Sequence, residues 1–178
     1  MLEQRIGFGR RLGALILDFI IIGIISSLVG DSLLGLLGIN VTIPAEIADA
    51  DEAMEGFATI MEQASKASAA AGILSILYFL TEVFMARTPG KMLLGIIIAN
   101  ADGSPAGTGV LLKRFLLKEG YNAFTFLSLV LGISLLSSIG NLWSLVFFVG
   151  CFFALGEKKQ ALHDQLVKSA VFKASAIK

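Results

Sequence analysis

Arg11 and Asp18 stand seven residues apart at the head of an apolar run, Leu12 to Val29, that is long enough to cross a hydrocarbon core of about 30 Å. A carboxylate inside such a run is costly and is normally turned inward and given a partner, and residues of this kind mark cation or proton pathways. Seven residues is two helical turns, so Arg11 and Asp18 share one helical face about 10 Å apart along the axis, with the small Ala14 between them. Arg11 is the expected partner of Asp18. A second acid, Glu82, sits in a second apolar run, Ala69 to Met85, five residues before Arg87. With opposite helix directions the two acids reach a similar depth, roughly 8–9 Å from the inner surface. Glu82 reads either as a member of the same polar site or as a side chain that reaches the interface and pairs with Arg87.

Other reactive-looking groups fail their tests. Thr88-Pro89-Gly90-Lys91 suggests a phosphate loop, but that motif needs a glycine five places before Gly90 and a hydroxyl residue after the lysine, and Met85 and Met92 stand there. Lys91 is expected at the lipid headgroups. The single histidine, His163, has no second imidazole or zinc-ligand spacing near it, and hydrogen bonding beside Asp164 is its expected role. No nucleophile signature accompanies it, so neither an enzyme, nor a cofactor, nor a bound metal is expected. The lone Cys151 lies in an apolar run and reads as a small buried hydrophobe.

These residues need elements to position them, and composition says which. Of 178 residues 56% are hydrophobic and only 16% charged, with a mean hydropathy of +0.82; soluble domains carry nearer a quarter charged residues. Net charge is zero, but the signs are segregated. Arg5, Arg10 and Arg11 precede the first run; Glu46, Asp49, Asp51, Glu52, Glu55 and Glu62 follow it; and Arg87, Lys91, Lys113, Arg114 and Lys118 follow the second. By the positive-inside rule both termini are cytoplasmic, and only Lys66 of the fourteen basic residues lies outside. The first run carries no small-residue cleavage site and is expected to stay as a helix.

The expected fold is an all-α membrane protein, one domain over 1–178. It is a bundle of four transmembrane helices at about 12–30, 69–86, 121–138 and 142–156, the last two parted at Ser137-Ser138-Ile139-Gly140-Asn141. Tyr121 then marks the inner and Trp143 the outer aromatic belt. Leu33 to Ile39, cut by Gly35 and Gly38, is too short to span and is placed at the outer interface. The acidic insert 40–68 is extracytoplasmic, with Pro44 opening an amphipathic helix whose stripe is Ile47, Met54, Phe57 and Met61. In the cytoplasmic connection 87–120, Gly95 to Ala99 is strand-like and ends in an Asn-Ala-Asp-Gly turn, while Val110 to Lys118 forms a basic helix at the headgroups. Gly95–Ala99 is expected to pair with Ala170–Lys173, because unpaired backbone at a membrane surface is costly.

Gly9-Arg10-Arg11-Leu12-Gly13-Ala14 leading to Asp18, Arg87-Thr88-Pro89-Gly90-Lys91-Met92-Leu93-Leu94-Gly95, Ala101-Asp102-Gly103, and Ala161-Leu162-His163-Asp164 with Val171 resemble, in order and spacing, the RDD family of membrane proteins. The resemblance implies that Arg11, Asp18 and Asp164 are the family's arginine and two aspartates, with Asp102 the lesser candidate for the second aspartate. Thr88, Gly90, Lys91 and His163 match its cytoplasmic motifs. Ile97-Ile98 stand where the family often has a basic residue, and the acidic insert lies outside the shared core. Transport of a small ligand or ion is what the family implies.

Two functions follow as expectations. In one, the chain is a transporter of a small ion or ligand in a bacterial inner membrane, with Arg11, Asp18, Glu82 and Asp164 as its polar site. In the other it is a non-catalytic scaffold or regulatory subunit, the Arg11–Asp18 pair is structural, and the acidic outer helix recognises a partner. Anionic headgroups are expected at the cytoplasmic face, and no nucleic acid. Gly9-x-x-x-Gly13 permits either a homo-oligomer or close packing within one subunit.

Overall fold

The computed structural model describes residues 2–36 and 50–177, and they are mostly helical. Helix α1 is Phe8–Leu36, α2 Ala50–Met85, α3 Pro89–Leu93, α4 Thr108–Leu131, α5 Ser134–Cys151 and α6 Leu162–Leu166; strands β1, Ile96–Asn100, and β2, Ser169–Lys173, form one sheet. Two stretches, Phe8–Gly30 and Ser134–Leu155, are long and apolar enough to cross a membrane, and a shorter apolar helix covers Ala71–Met85. Only 11% of the first span is buried. An apolar helix left that bare suits lipid and not the core of a water-soluble fold. Contacts divide the chain into a compact unit of residues 1–21 with 76–178 and a second of residues 22–75. The candidate site lies in the first.

The two segments expected to pair do so. Antiparallel partners run from Ile96 with Lys173 to Asn100 with Ser169, and Ile6 N donates to Val171 O at 2.8 Å, so the N-terminal segment adds to the free edge of β2. Alternation makes Ile96, Ile98 and Val171 fully buried beside Ile6, Ala14 and Leu111. Arg5 locks this edge by donating to the carbonyls of Lys158 at 2.9 Å and Ala101 at 2.6 Å.

Four boundaries differ from the sequence expectation. The break between the last two long helices falls at Gly132, not at 137–141, because Gly132 takes the left-handed conformation (φ +68°) that closes α4. Ser137 and Ser138 stay helical, with Ser137 Oγ donating to Ser134 O at 2.7 Å. Gly140 serves packing and not a turn: a β-carbon there would sit 3.1 Å from Phe124 Cβ and from Tyr121 O. Consequently Trp143 lies beside the start of the pair, donating to Leu117 O at 2.9 Å, instead of marking the opposite end from Tyr121. Second, the basic helix at 110–118 is the first part of α4 itself. Third, α2 continues from the acidic segment into the apolar run as one helix, since it holds no proline and has an alanine-rich middle. Fourth, α1 continues through Gly35 to Leu36. The rest of the segment placed at the outer interface, and Pro44 and Ile47 of the acidic insert, lie outside the described residues.

Candidate functional site

The local fold around residues 88–91 follows from Thr-Pro-Gly-Lys. Proline at the first helical position has its φ already set and no N–H to satisfy, and Thr88 before it accepts a hydrogen bond from Lys91 N at 3.4 Å. The five-residue α3 that results meets two helices. Asp18 on α1 accepts from Thr88 Oγ1 at 2.6 Å, from Gly90 N at 2.7 Å and from Tyr78 Oη at 2.7 Å. The stretch that looks like a phosphate loop therefore cradles an anion after all, but the anion is the protein's own carboxylate, placed at the positive end of a helical turn. Gly90 has to be glycine for this: a β-carbon would stand 2.4 Å from Ala14 O and 2.6 Å from Asp18 Oδ1.

Lys91, one residue on, points to Glu82 on α2. Glu82 is completely buried and is paired with Lys91, with Arg114 of α4, and with Lys118 at 3.4 Å. Of the two readings of Glu82, membership of the polar site holds and pairing with Arg87 does not, and Lys91 is buried in an ion pair instead of lying at the headgroups. A buried carboxylate with several cationic partners is compensated; with one removed it would be an uncompensated charge.

Arg11 does not neutralise Asp18. It forms an ion pair with Asp164 in α6 and donates to Ile6 O at 3.0 Å and Lys159 O at 2.6 Å. Asp164 sits at the third position of α6, where it accepts from Ala161 N at 3.2 Å, and it also takes Arg114 Nε at 2.8 Å. Burial alone would raise its pKa, but the guanidiniums of Arg114 and Arg11 hold it well below the usual carboxylate range. His163 Nε2 lies 3.0 Å from Arg114 Nη2. Burial first, and the neighbouring Arg114 second, push the imidazole well below its ordinary value. Asp102, by contrast, is exposed in a turn, accepting from Ser104 N and Oγ at 2.9 and 2.7 Å.

All eight expected residues thus gather in one cluster of three carboxylate nests, with Lys91 linking those of Asp18 and Glu82 and Arg114 linking those of Glu82 and Asp164. Sequence reasoning missed Arg114, which bridges Glu82 and Asp164, and Tyr78. A signal for Arg114 existed: with Leu111 and Phe115 it falls at spacings of three and one on the buried stripe of α4, where a base has no place unless an acid meets it. Phe8, Leu12, Leu15 and Phe79 form apolar walls of a cavity of about 110 Å³, and Arg11, Asp18, Lys91, Arg114, Lys118 and His163 supply its polar side. Among the described residues no group of three or more metal-ligating side chains occurs.

The model of the RDD family matches residues 5–168. No curated protein and no solved structure gave a match to the chain.

Proposed function

The chain belongs to the RDD family, and from that premise we propose that it is a four-span, multi-pass protein of a bacterial inner membrane, both termini cytoplasmic, that moves a small ion or ligand through its polar cluster. The observation that carries this is the cavity, which sets six ionisable side chains against apolar walls beside the first span. Charged groups at such a place are costly and face a water-filled or ligand-filled space where they serve transport. The reading assigns no enzymatic step and no cofactor. Asp18 acts as the fixed anion that holds α3 in place, and Arg11 orients the tail through Asp164. Sealed vesicles test it: wild type should discharge an imposed pH or ion gradient, and Asp18→Asn should not, with Tyr78→Phe as a variant that keeps the carboxylate. Wild-type protein that leaves every imposed gradient intact overturns the proposal.

A specific observation favours a second reading, the scaffold. Every carboxylate oxygen of Asp18, Glu82 and Asp164 is already engaged. Such a cluster ties α1, α2, α4 and the tail together without any ligand. In that reading the acidic face of residues 44–66 docks a partner membrane protein or a second copy, anionic headgroups meet the cytoplasmic face, and wild type is inert in the vesicles while Asp18→Asn loses stability.

A further inference from the structure

A count of donors against acceptors in the cavity gives an imbalance. The acceptors are used up: Asp18 takes three donors, and Lys91 and Lys118 converge on the same oxygen of Glu82, Oε2, the second at 3.4 Å. Each ammonium has three N–H groups, so both lysines keep donors to spare. The third unused donor is on His163. Arg114 has only donors, so the His163 Nε2 that it meets must accept, and the ring proton then belongs on Nδ1. That atom is buried and has no hydrogen-bond partner among the described residues, although His163 is only 4% exposed and lines the cavity. A buried N–H without an acceptor destabilises the fold until one is supplied. The lining agrees: four cations, Arg11, Lys91, Arg114 and Lys118, line the cavity, and of the carboxylates among the described residues only Asp18 joins them.

We propose that this cavity binds a small organic monoanion, a short-chain carboxylate, with its head on Lys118, Lys91 and the Nδ1–H of His163 and its tail against Phe8, Leu12 and Leu15. The apolar walls select against a bare inorganic anion, whose hydration they cannot replace. Size sets an upper limit on the chain: about 110 Å³ is below the ~150 Å³ that takes a benzene ring, whose six heavy atoms equal those of butyrate, so acids longer than four carbons exceed it. This rests on the cluster being a ligand site and not on its being a transport route.

His163 is the one histidine of the sequence, so selective ¹⁵N labelling of histidine reports the site with a single pair of ring signals. In the full chain purified in detergent, the free protein should show Nδ1 protonated and Nε2 bare. Butyrate should then move the Nδ1 signal in a saturable way, and butyramide, chloride and phosphate should not. In a series from acetate to octanoate the response should be strongest at short chains. Lys118→Gln should weaken butyrate at least about tenfold, the worth of one charge-assisted hydrogen bond. No saturable shift with butyrate overturns the proposal, and so does an equal response to butyramide or to the inorganic anions. A response that climbs steadily to octanoate also overturns it, assigning the site to membrane fatty acids. Butyrate binding without vesicle flux would keep this inference and remove transport; flux of a cation with His163 silent would do the reverse.

Discussion

Arg11 is paired with Asp164, 153 positions away in sequence, and not with Asp18, two turns along its own helix. A guanidinium at the head of α1 reaches the tail, which it also holds through Lys159 O, and the carboxylate on α1 is left to neutral donors. Arg11→Ala and Asp164→Asn should therefore be coupled by about 0.5–3 kcal/mol in a double-mutant cycle of stability in detergent, as residues of one ion pair are. Additivity of these two within ~0.5 kcal/mol would contradict the pairing.

Gly90 and Gly9 offer a contrast within one protein. A methyl group at Gly90 collides with Ala14 O and the Asp18 carboxylate, whereas at Gly9 it meets nothing within 4 Å. Gly90→Ala should cost several kcal/mol because both neighbours are held, one by backbone and one by three hydrogen bonds; surface changes like Gly9→Ala stay within about 0.5 kcal/mol. Equal melting temperatures for the two variants would show that α3 does not sit against α1 as described.

Arg114 holds Glu82 and Asp164 at once, with each carboxylate buried. Arg114→Lys keeps the charge but offers one point of contact where two are needed, so it should lose about 3–5 kcal/mol, nearly as much as Arg114→Met. A lysine variant with wild-type stability would mean that one of the two bridges contributes nothing.

Acid should unfold the protein in two stages. His163 is neutral in the fold, and in the unfolded chain it titrates near about pH 6.5, so the unfolded state binds the extra proton. Its contribution is complete above that pH and is lost as pH falls, at up to about 1.4 kcal/mol per unit. Asp164, held well below its ordinary value, adds a loss of the same sign below about pH 4. Melting temperature in detergent should be level near pH 7–8 and fall below about 6.5, and His163→Asn should abolish the first fall. A flat profile from pH 8 to 5 in wild type would contradict the buried neutral imidazole.

Topology is the simplest check of the membrane reading. A tag after Asp51 should be reached only from outside intact cells or right-side-out vesicles, and one after Lys178 only from inside. Any other pairing removes the four-span arrangement.

The amphipathic and apolar patterns of the chain were enough, on their own, to place it in a membrane, to identify the family motifs, and to pair Gly95–Ala99 with Ala170–Lys173, because periodicity, turn chemistry and charge segregation are local quantities. They also singled out Asp18 and Glu82, since an acid in an apolar stretch stands out whatever it touches, whereas Asp164 in the charged tail was legible only through the family motif. Partnership was decided by the tertiary structure alone. Spacing along α1 made Arg11 and Asp18 neighbours on a helix face, but a buried carboxylate takes the donors that the fold brings closest, and α3 brought Thr88 and Gly90 to Asp18 while α6 brought Asp164 to Arg11. The break at Gly132 was likewise hidden: Gly140 and Gly132 look alike in sequence, and only the close approach of α5 to α4 makes the first a packing site, whereas the second takes the positive φ that ends a helix. Arg114, read as a headgroup anchor, became the bridge between two nests because burial turns a charge from a surface ornament into an obligation to find partners.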